Sequence, residues 1–349
     1  MGELAGKVQT VTGVIDPREL GITLTHEHLL VDLNPAGHLP AEAGKKGQAL
    51  KPFELRDAWY HAHFRQNLDD ERLLDEDEAI AEALLFKRAG GVTLVDATTL
   101  GIGRDPIGLA HIARATGLNV IMGAGYYSME VPQPGLDEKS EGEVLREIVR
   151  DITEGFGWPP VKAGIIGEIA SSWPRHPNEE KVLRAAVAAQ RETGAPLLIH
   201  PGRNPRAPIE LMEMILEVGG SAERTIIGHL DRTVFDDDTL GELAATGCYL
   251  EYDLFGQEQS FYPYHLAVDM PNDATRIDHL IWLFEHGHGD RVVVAHDICN
   301  KHRLRRYGGH GYGHLVENVA PMMLRKGMTV EQVEAVFVGN PARVLAFRL

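Results

Sequence analysis

The sequence has few cysteines, no long apolar run and fewer basic than acidic residues. Its two cysteines, Cys248 and Cys299, lie far apart among 349 residues, which excludes a disulfide framework and a cysteine-based zinc finger and suits a reducing cytosol. No apolar run approaches the roughly 18 residues that a membrane helix needs, and the N-terminal segment lacks the apolar stretch of a signal peptide. We therefore expect a soluble, cytoplasmic protein with no membrane partner.

Acidic residues outnumber basic ones by 51 to 34, which gives a formal net charge of −17. Because this charge repels polyanions, nucleic acid is excluded as a partner and a small-molecule substrate is expected instead. Histidine is unusually frequent, with 17 residues, and imidazole is the side chain that most often binds metal ions. The search for function therefore turns to the positions of the histidines.

Eight short apolar runs alternate with longer amphipathic segments from Gly21 onward. The runs are rich in aliphatic residues, as in parallel strands buried on both faces, and many intervening segments end in glycine, a common helix stop. The runs begin at Ile22, Val92, Asn119, Lys162, Ala195, Arg224, Cys248 and Arg291. Their number and spacing predict an α/β protein, a closed (β/α)8 TIM barrel in one domain that spans residues 1–349.

Two segments lie outside this alternation. An N-terminal extension precedes the first run, and residues 35–70 form a long excursion after it without a clean period, which we interpret as a cap over the barrel mouth. An open, doubly wound sheet is the alternative architecture. The first run is not followed by the Gly-x-Gly-x-x-Gly turn typical of that fold, which favours the barrel.

Six potential metal ligands fall at the carboxyl ends of five runs. The first run ends in His26-Glu27-His28, whose two imidazoles share one face of a strand. Later runs end in one carboxylate or imidazole each, namely Glu168, His200, His229 and Asp297. Active sites of (β/α)8 barrels assemble at this edge, and four imidazoles with two carboxylates suit ions of zinc, cobalt or manganese type.

Hydrogen-bonded packing is the alternative for each of these residues taken singly. The chain has two further His-x-His pairs, beginning at His61 and His286, which we interpret as solvated surface. Six ligand-type residues at matching ends of a regular series are hard to explain by packing alone. The pattern therefore predicts a metal centre.

Glu168 lies between the two groups of histidines in strand order and is the expected bridging carboxylate. Two ions would divide the other five ligands, with His26, His28 and Asp297 on one ion and His200 and His229 on the other. A water between two such ions has a pKa of about 7, and Asp297 can accept its proton as the hydroxide attacks. This arrangement predicts hydrolysis of an activated carbonyl or phosphoryl centre.

Longer stretches of the chain resemble the phosphotriesterase family of the amidohydrolase superfamily, in its phosphotriesterase-related subgroup. The resemblance runs through GKVQTVTGVIDPRELGITLTHEHLL, AGIIGEIASSWP, IHPGRNPRAP, GHLDRT, GCYLEYDLFG, VVVAHD and YGGHGYGHL. It implies a (β/α)8 barrel, a homodimer and a binuclear centre held by the same six residues. The two ions it implies are Zn2+, with Mn2+ or Co2+ as alternatives.

Two positions depart from the pattern of the phosphotriesterases themselves. Those enzymes bridge their metals with a carboxylated lysine, where this chain has Glu168 and needs no modification. Their proton relay uses an aspartate and a histidine where this chain has Arg232 and Leu254. The resemblance thus favours hydrolysis of an ester, lactone or amide of a small polar molecule, such as the N-acyl amides cleaved by animal members of the subgroup, and phosphotriester hydrolysis is the alternative.

Three residues are candidates for substrate binding. Tyr127 ends the third run, where related lactonases place an aromatic ring, and Arg203 and Arg232 follow metal-binding runs. With the nearby Arg206, these guanidinium groups match a carboxylate or sulfonate in shape and charge. Rim packing is the alternative for the tyrosine, and salt bridges are the alternative for the arginines.

The remaining predictions concern the end of the chain. The glycine-rich segment 308–314 is interpreted as a flexible lid, its His310 and His314 are not expected to be ligands, and Cys299 is assigned to packing.

A metal-containing protein that binds a ligand without catalysis is the alternative from another functional class. The complete set of six ligands favours an enzyme.

Overall fold

The computed structural model describes residues 4–33, 42–64, 67–259, 262, 264–265 and 267–348. Its central sheet contains eight parallel strands that are hydrogen-bonded in chain order. They are β1 (Thr23–Glu27), β2 (Thr93–Asp96), β3 (Asn119–Ala124), β4 (Ile165–Ala170), β5 (Leu197–His200), β6 (Thr225–Ile227), β7 (Tyr249–Tyr252) and β8 (Val292–Val294). The eight apolar runs of the sequence are these eight strands.

The first and last strands meet, so the sheet is nearly closed into a barrel. The Thr25 hydroxyl of β1 donates a hydrogen bond to the Val294 carbonyl of β8 at 3.3 Å. Just beyond β8, the Asp297 amide donates to the His26 carbonyl at 3.1 Å. The predicted barrel is confirmed, and the open doubly wound alternative is wrong.

A helix follows each of the first seven strands and covers the outside of the barrel. These helices are α1 (Glu76–Arg88), α2 (Pro106–Thr116), α3 (Glu141–Thr153), α4 (Pro177–Thr193), α5 (Ala207–Glu217), α6 (Asp237–Ala245) and α7 (Asp273–Glu285). Local sequence sets their ends: Asp75 caps the first amides of α1, and Gly194 ends α4 in the left-handed conformation that glycine favours.

Further helical segments follow β8. A π-helical turn, Leu315–Val319, leads into α8 (Ala320–Arg325), and α9 (Val330–Glu334) leads through a second π-helical turn, Ala335–Gly339, into α10 (Asn340–Val344). None of the helices in the described residues combines the length and the apolar character that crossing a membrane requires.

Alternation along the strands decides which side chains reach the barrel interior. Single residues from successive strands form one buried cluster, among them Leu198 of β5 and Tyr249 of β7. Because every second side chain of a strand shares a face, His200 follows Leu198 inward, and Glu251 and Asp253 follow Tyr249. The inner face of the sheet thus becomes polar toward its carboxyl end.

The N-terminal extension and the excursion after β1 add short elements to the barrel. In the extension, Val8–Thr10 pairs with Gly13–Ile15, and Gln9 donates to the Ala163 carbonyl ahead of β4 at 2.6 Å. The residues on either side of the excursion pair with each other, Val31–Asp32 with Arg72–Leu73.

Two short helices, Ala43–Ala49 and Ala58–Phe64, lie within the excursion. Residues 34–41 and 65–66 of the same segment lie outside the described residues.

Gly123 marks a close approach between β3 and β4. A Cβ atom on Gly123 would lie 2.0 Å from the Gly167 carbonyl oxygen, so the strands must separate to accommodate it. We expect Gly123→Ala to lower the free energy of unfolding by roughly 1–3 kcal/mol, measured by urea denaturation.

The matched control is Gly142→Ala in α3, where the nearest atom to an added Cβ is Arg146 Nη1 at 3.6 Å. Alanine has the higher helix propensity, so we expect the control to be stabilised by up to about 1 kcal/mol. Equal stabilities of the two variants would contradict the proposed close packing of β3 on β4.

Candidate metal centre

The four predicted histidines surround the Glu168 carboxylate at the carboxyl-terminal end of the barrel. Glu168 Oε1 lies 3.4 Å from His28 Nε2. Glu168 Oε2 lies 3.3 Å from His26 Nε2, 2.7 Å from His200 Nδ1 and 3.5 Å from His229 Nε2. The two carboxylate oxygens thus face different histidines, as a bridging ligand requires.

Asp297, the sixth predicted residue, completes one side of this cluster. Its Oδ1 atom lies 3.1 Å from His28 Nε2 and 3.8 Å from His26 Nε2. The ligand atoms of these three residues lie within 4.8 Å of one another, as do those of His26, Glu168 and His229. These two groups share His26 and contain five of the six predicted residues. The sixth, His200, belongs to neither group and adjoins them through Glu168 Oε2.

Two of the imidazoles are held through the ring nitrogen that faces away from the cluster. His28 Nδ1 lies 2.8 Å from the Thr98 hydroxyl, and His229 Nδ1 lies 2.9 Å from Asp253 Oδ1. Such contacts fix the orientation of a metal-binding imidazole and leave its other nitrogen for the ion.

His26 gives the strongest indication that the cluster fits a metal ion. Its Nδ1 atom lies 3.3 Å from Glu251 Oε2 and 3.1 Å from Asp253 Oδ2. Its Nε2 atom is buried and has no hydrogen-bond partner among the described residues, although it points at the cluster. A buried imidazole nitrogen without a partner is rare in proteins, and a metal ion at this position would satisfy it.

His200 is held differently from the other histidines. Its Nδ1 atom faces Glu168, and its Nε2 atom lies 3.0 Å from Arg232 Nη2, where the guanidinium donates the hydrogen bond. Arg232 also donates to the Pro201 carbonyl at 3.0 Å and is 2% exposed. A cation therefore stands directly beside the cluster.

Burial and neighbouring charges set the protonation of the cluster. Burial raises the pKa of Glu168, but the imidazoles of His26 and His200 outweigh it and hold the pKa well below its usual value. Burial and the nearby His229 hold the pKa of His200 well below its usual value. For His26, His28 and His229, burial lowers the pKa, but neighbouring carboxylates outweigh it and raise the pKa above its usual value. Of the four histidines, only His200 is shifted toward the neutral form that binds metal ions.

His229 and Asp297 share an uncommon backbone conformation. Their φ angles are 55° and 51°, and they are the only non-glycine residues with positive φ in the part of the chain described here. Left-handed backbone is unfavourable for such residues and often marks functional positions. Here it turns both side chains into the cluster at the ends of β6 and β8.

Hydrogen bonds to the surrounding backbone hold the Asp297 turn. The Glu27 carboxylate accepts from His296 Nδ1 at 2.7 Å, from the His296 amide at 2.8 Å and from the Ile298 amide at 3.1 Å. Arg303 donates to the carbonyls of Asp297 and His296. Glu27, between His26 and His28 in the sequence, thus positions Asp297.

A cavity of about 420 Å3 opens above the cluster. The predicted Tyr127, Arg203 and Arg232 all lie on its wall, and the Tyr127 ring packs edge-on against His200 with centroids 5.3 Å apart. The excursion supplies part of the wall through Ala49 and Leu68, as expected for a cap.

Arg203 and Arg206 lie in different environments. Arg203 is on the cavity wall, where it pairs with Glu130 at 3.1 Å and donates to the Tyr262 hydroxyl at 3.1 Å. Arg206 makes two hydrogen bonds to Glu242, of 2.6 and 3.0 Å, and is exposed. Both arginines thus form the salt bridge that was the alternative, but only Arg203 also lines the cavity.

Two predictions about the end of the chain need correction. Segment 308–314 does not cover the cavity: Tyr312 is buried and donates to the His28 carbonyl at 2.7 Å, and no residue of the segment lines the cavity. Cys299 does line it, so packing is an incomplete description of that side chain.

Sequence reasoning missed the carboxylates behind the histidines and one in the cavity wall. Glu251 and Asp253 lie in and just after β7, and their spacing of two residues along a buried strand was a usable signal. Glu71 lines the cavity from within a segment that has no periodic pattern.

The support of Asp297 by Glu27 can be tested through metal binding. In Glu27→Gln the acceptor for one or more of its three hydrogen bonds is lost, so we expect Zn2+ to bind roughly 10–100-fold more weakly, measured by competition with a chromogenic chelator. The control is Glu82→Gln, another buried carboxylate that accepts from backbone amides, those of Arg305 and Arg306. Equal Zn2+ affinity of the two variants would contradict the positioning role.

Comparison with known proteins finds relatives that match the chain over nearly its whole length. The model of the phosphotriesterase family matches residues 6–345. A phosphotriesterase-related protein from Nematostella vectensis is 43% identical over 351 residues, which cover 99% of each chain. An N-acetyltaurine hydrolase from Danio rerio is 43% identical over 355 residues, with 100% of both chains covered.

The solved structures give the same result. A resiniferatoxin-binding protein from Rhodobacter sphaeroides superimposes with a TM-score of 0.92 at 34% identity, covering 97% of this chain and 95% of that one. The resemblance noted in the sequence motifs is therefore confirmed by the fold and by full-length similarity. The chain belongs to the phosphotriesterase family.

Proposed function

We propose that this chain is a binuclear metal-dependent hydrolase that cleaves the amide bond of a small N-acyl amine carrying an anionic group, of the N-acetyltaurine type. The observation that carries the proposal is the buried guanidinium of Arg232, on the cavity wall beside the six-residue cluster. No ion pair joins it to a carboxylate in the described residues. A buried cation without a counter-ion favours an anionic ligand.

Full-length relatives support the choice of substrate class. Proteins from zebrafish to mouse that are 39–43% identical over the whole chain carry the name N-acetyltaurine hydrolase. The sulfonate of such a molecule matches the guanidinium of Arg232, with Arg203 as a second cation on the same wall. A cavity wall with both apolar residues and arginines suits a substrate that has a short acyl group and an anionic amine half.

The six clustered residues, Glu168 included, would hold two divalent ions, of which Zn2+ is the first expectation. When bound, such ions polarise a substrate carbonyl and make hydroxide available at neutral pH. Asp297 is partly exposed to the cavity, with 15% of its side chain accessible. Its carboxylate is placed to take the proton of the attacking water and to deliver it to the nitrogen released when the carbon–nitrogen bond breaks.

The alternatives considered from the sequence fit the cavity less well. Leu254 is apolar and Arg232 is a cation, so neither can accept a proton where phosphotriesterases have their relay. Phosphotriesters, which are neutral, would also leave Arg232 unpaired. Membership of this hydrolase family disfavours a protein that only binds a ligand.

A matched substrate pair tests the anionic specificity. N-Acetyltaurine and N-ethylacetamide share the scissile bond and differ in the sulfonate, so we expect at least about 30-fold higher kcat/KM for the former. Arg232→Met should remove this preference, whereas the surface variant Arg206→Met should keep it. Faster cleavage of a phosphotriester or of N-ethylacetamide would contradict the proposal.

The proposed metal centre predicts how many metal ions each chain binds and how much activity is lost when the ions or Asp297 are removed. We expect about two divalent ions per chain by elemental analysis, with activity lost on chelation and restored by Zn2+ or Mn2+. Asp297→Asn should lower kcat by roughly 100-fold or more, because an amide cannot relay the proton. Full activity in Asp297→Asn, or a metal-free active protein, would refute the mechanism.

A further inference from the structure

Glu71 is a carboxyl group in the cavity wall that the proposed chemistry does not use. The residue lines the cavity and is 8% exposed. Its backbone is fixed, because its carbonyl accepts from the Leu33 amide at 3.1 Å and its amide donates to the Asn67 carbonyl at 3.1 Å. The strand pair that begins at the next residue, Arg72–Leu73 with Val31–Asp32, holds the segment in place.

The side chain of Glu71 has no partner in the described part of the chain. The neighbouring Asp70, by contrast, accepts from the amide and from Nδ1 of His302, at 2.8 and 2.7 Å. A buried carboxyl group is normally hydrogen-bonded. Its position on the wall of a ligand cavity indicates that the missing partner belongs to the substrate.

Glu71 stands across the barrel from the two arginines. The excursion that carries it is bound to the loops after β1 and β8, through Leu33 and His302. Arg203 and Arg232 follow β5 and β6, on the opposite side of the closed sheet. A substrate whose anion binds the arginines and whose amide lies at the cluster therefore directs its acyl chain toward Glu71.

The electrostatic environment of Glu71 specifies which group it can bind. Burial and the nearby carboxylates Asp70 and Asp32 raise the pKa of Glu71 to about 8, so the group is a neutral acid at pH 7. A neutral carboxyl group both donates and accepts a hydrogen bond. A hydroxyl group, which also does both, is its natural complement.

We propose that Glu71 forms an acyl-side subsite that recognises a hydroxyl group. The preferred substrates are then amides of an anionic amine whose acyl group carries a hydroxyl. This inference rests on the proposed function, because the amide must lie at the cluster with its anion on the arginines. It extends that function from the amine half to the acyl half of the substrate.

Isosteric acyl groups on one leaving group test the subsite. The first pair is N-(hydroxyacetyl)taurine and N-propionyltaurine. The hydroxyl on the acyl carbon of the first compound replaces the terminal methyl group of the second. The second pair, N-(3-hydroxypropanoyl)taurine and N-butanoyltaurine, reaches one carbon further. We expect the hydroxyl member of at least one pair to have roughly 10-fold or higher kcat/KM, since a buried polar group discriminates against an isostere that cannot bond to it.

Variants of Glu71 separate recognition from general damage. Glu71→Leu should abolish or reverse the hydroxyl preference while N-propionyltaurine is still cleaved, and Glu71→Gln should retain the preference. The matched control is Glu130→Leu, which removes a carboxylate from the arginine side of the same cavity and should leave the hydroxyl-to-methyl ratio unchanged.

The outcomes distinguish this inference from the proposed function. Cleavage of N-acetyltaurine without a hydroxyl preference in either pair would overturn the Glu71 subsite alone. A preference that survives in Glu71→Leu would overturn it as well. Failure to cleave any taurine amide, with metal bound, would overturn both.

Discussion

The site depends on the burial of one carboxylate, that of Glu168. A carboxylate that is 2% exposed is costly unless positive or hydrogen-bonding groups surround it. Four imidazoles provide that environment. Thr98, Glu251 and Asp253 orient three of them, and Arg232 contacts the fourth, His200. Asp253 serves two histidines at once, since it lies against both His26 and His229. Because these groups share partners, the effects of substitutions among them will not add.

The barrel makes this concentration of polar groups possible. Parallel strands in a closed sheet bring their carboxyl ends to one rim, and residues distant in sequence meet there. Two register shifts of the sheet fall at residues of the cluster, between Leu24 and Glu27 in β1 and between Ile166 and Ile169 in β4. Such irregularities redirect side chains, and His26 and Glu168 lie within them.

Sequence reasoning found the eight strands and the six clustered residues because both have local signals. A strand buried on both faces is a continuous apolar run, and a polar residue at its end is conspicuous. Glu251 lacked that contrast, since it lies inside a strand whose other residues include two tyrosines. The two arginines three residues apart, Arg203 and Arg206, also could not be separated from sequence. Whether each side chain faces the cavity or the solvent depends on where α5 begins, and Arg206 lies at its N-cap.

The cavity wall was the least predictable part. Its residues are held by contacts between segments that are remote in sequence, such as the bond between Asp70 and His302. No period in residues 35–70 indicates which side chain will face inward. Glu71 is buried and unpartnered through tertiary placement, and its raised pKa follows from neighbours that only the folded chain assembles.

The excursion after β1 has a consequence for how proteins of this kind diverge. The excursion and the residue that follows it contribute Ala49, Leu68 and Glu71 to the cavity but none of the six clustered residues. Under the proposed function, the groups that would break the bond and the groups that would select the acyl chain thus lie on separate stretches of polypeptide. Insertions or exchanges in this one stretch can therefore change the accepted acyl groups while the inherited chemistry stays intact.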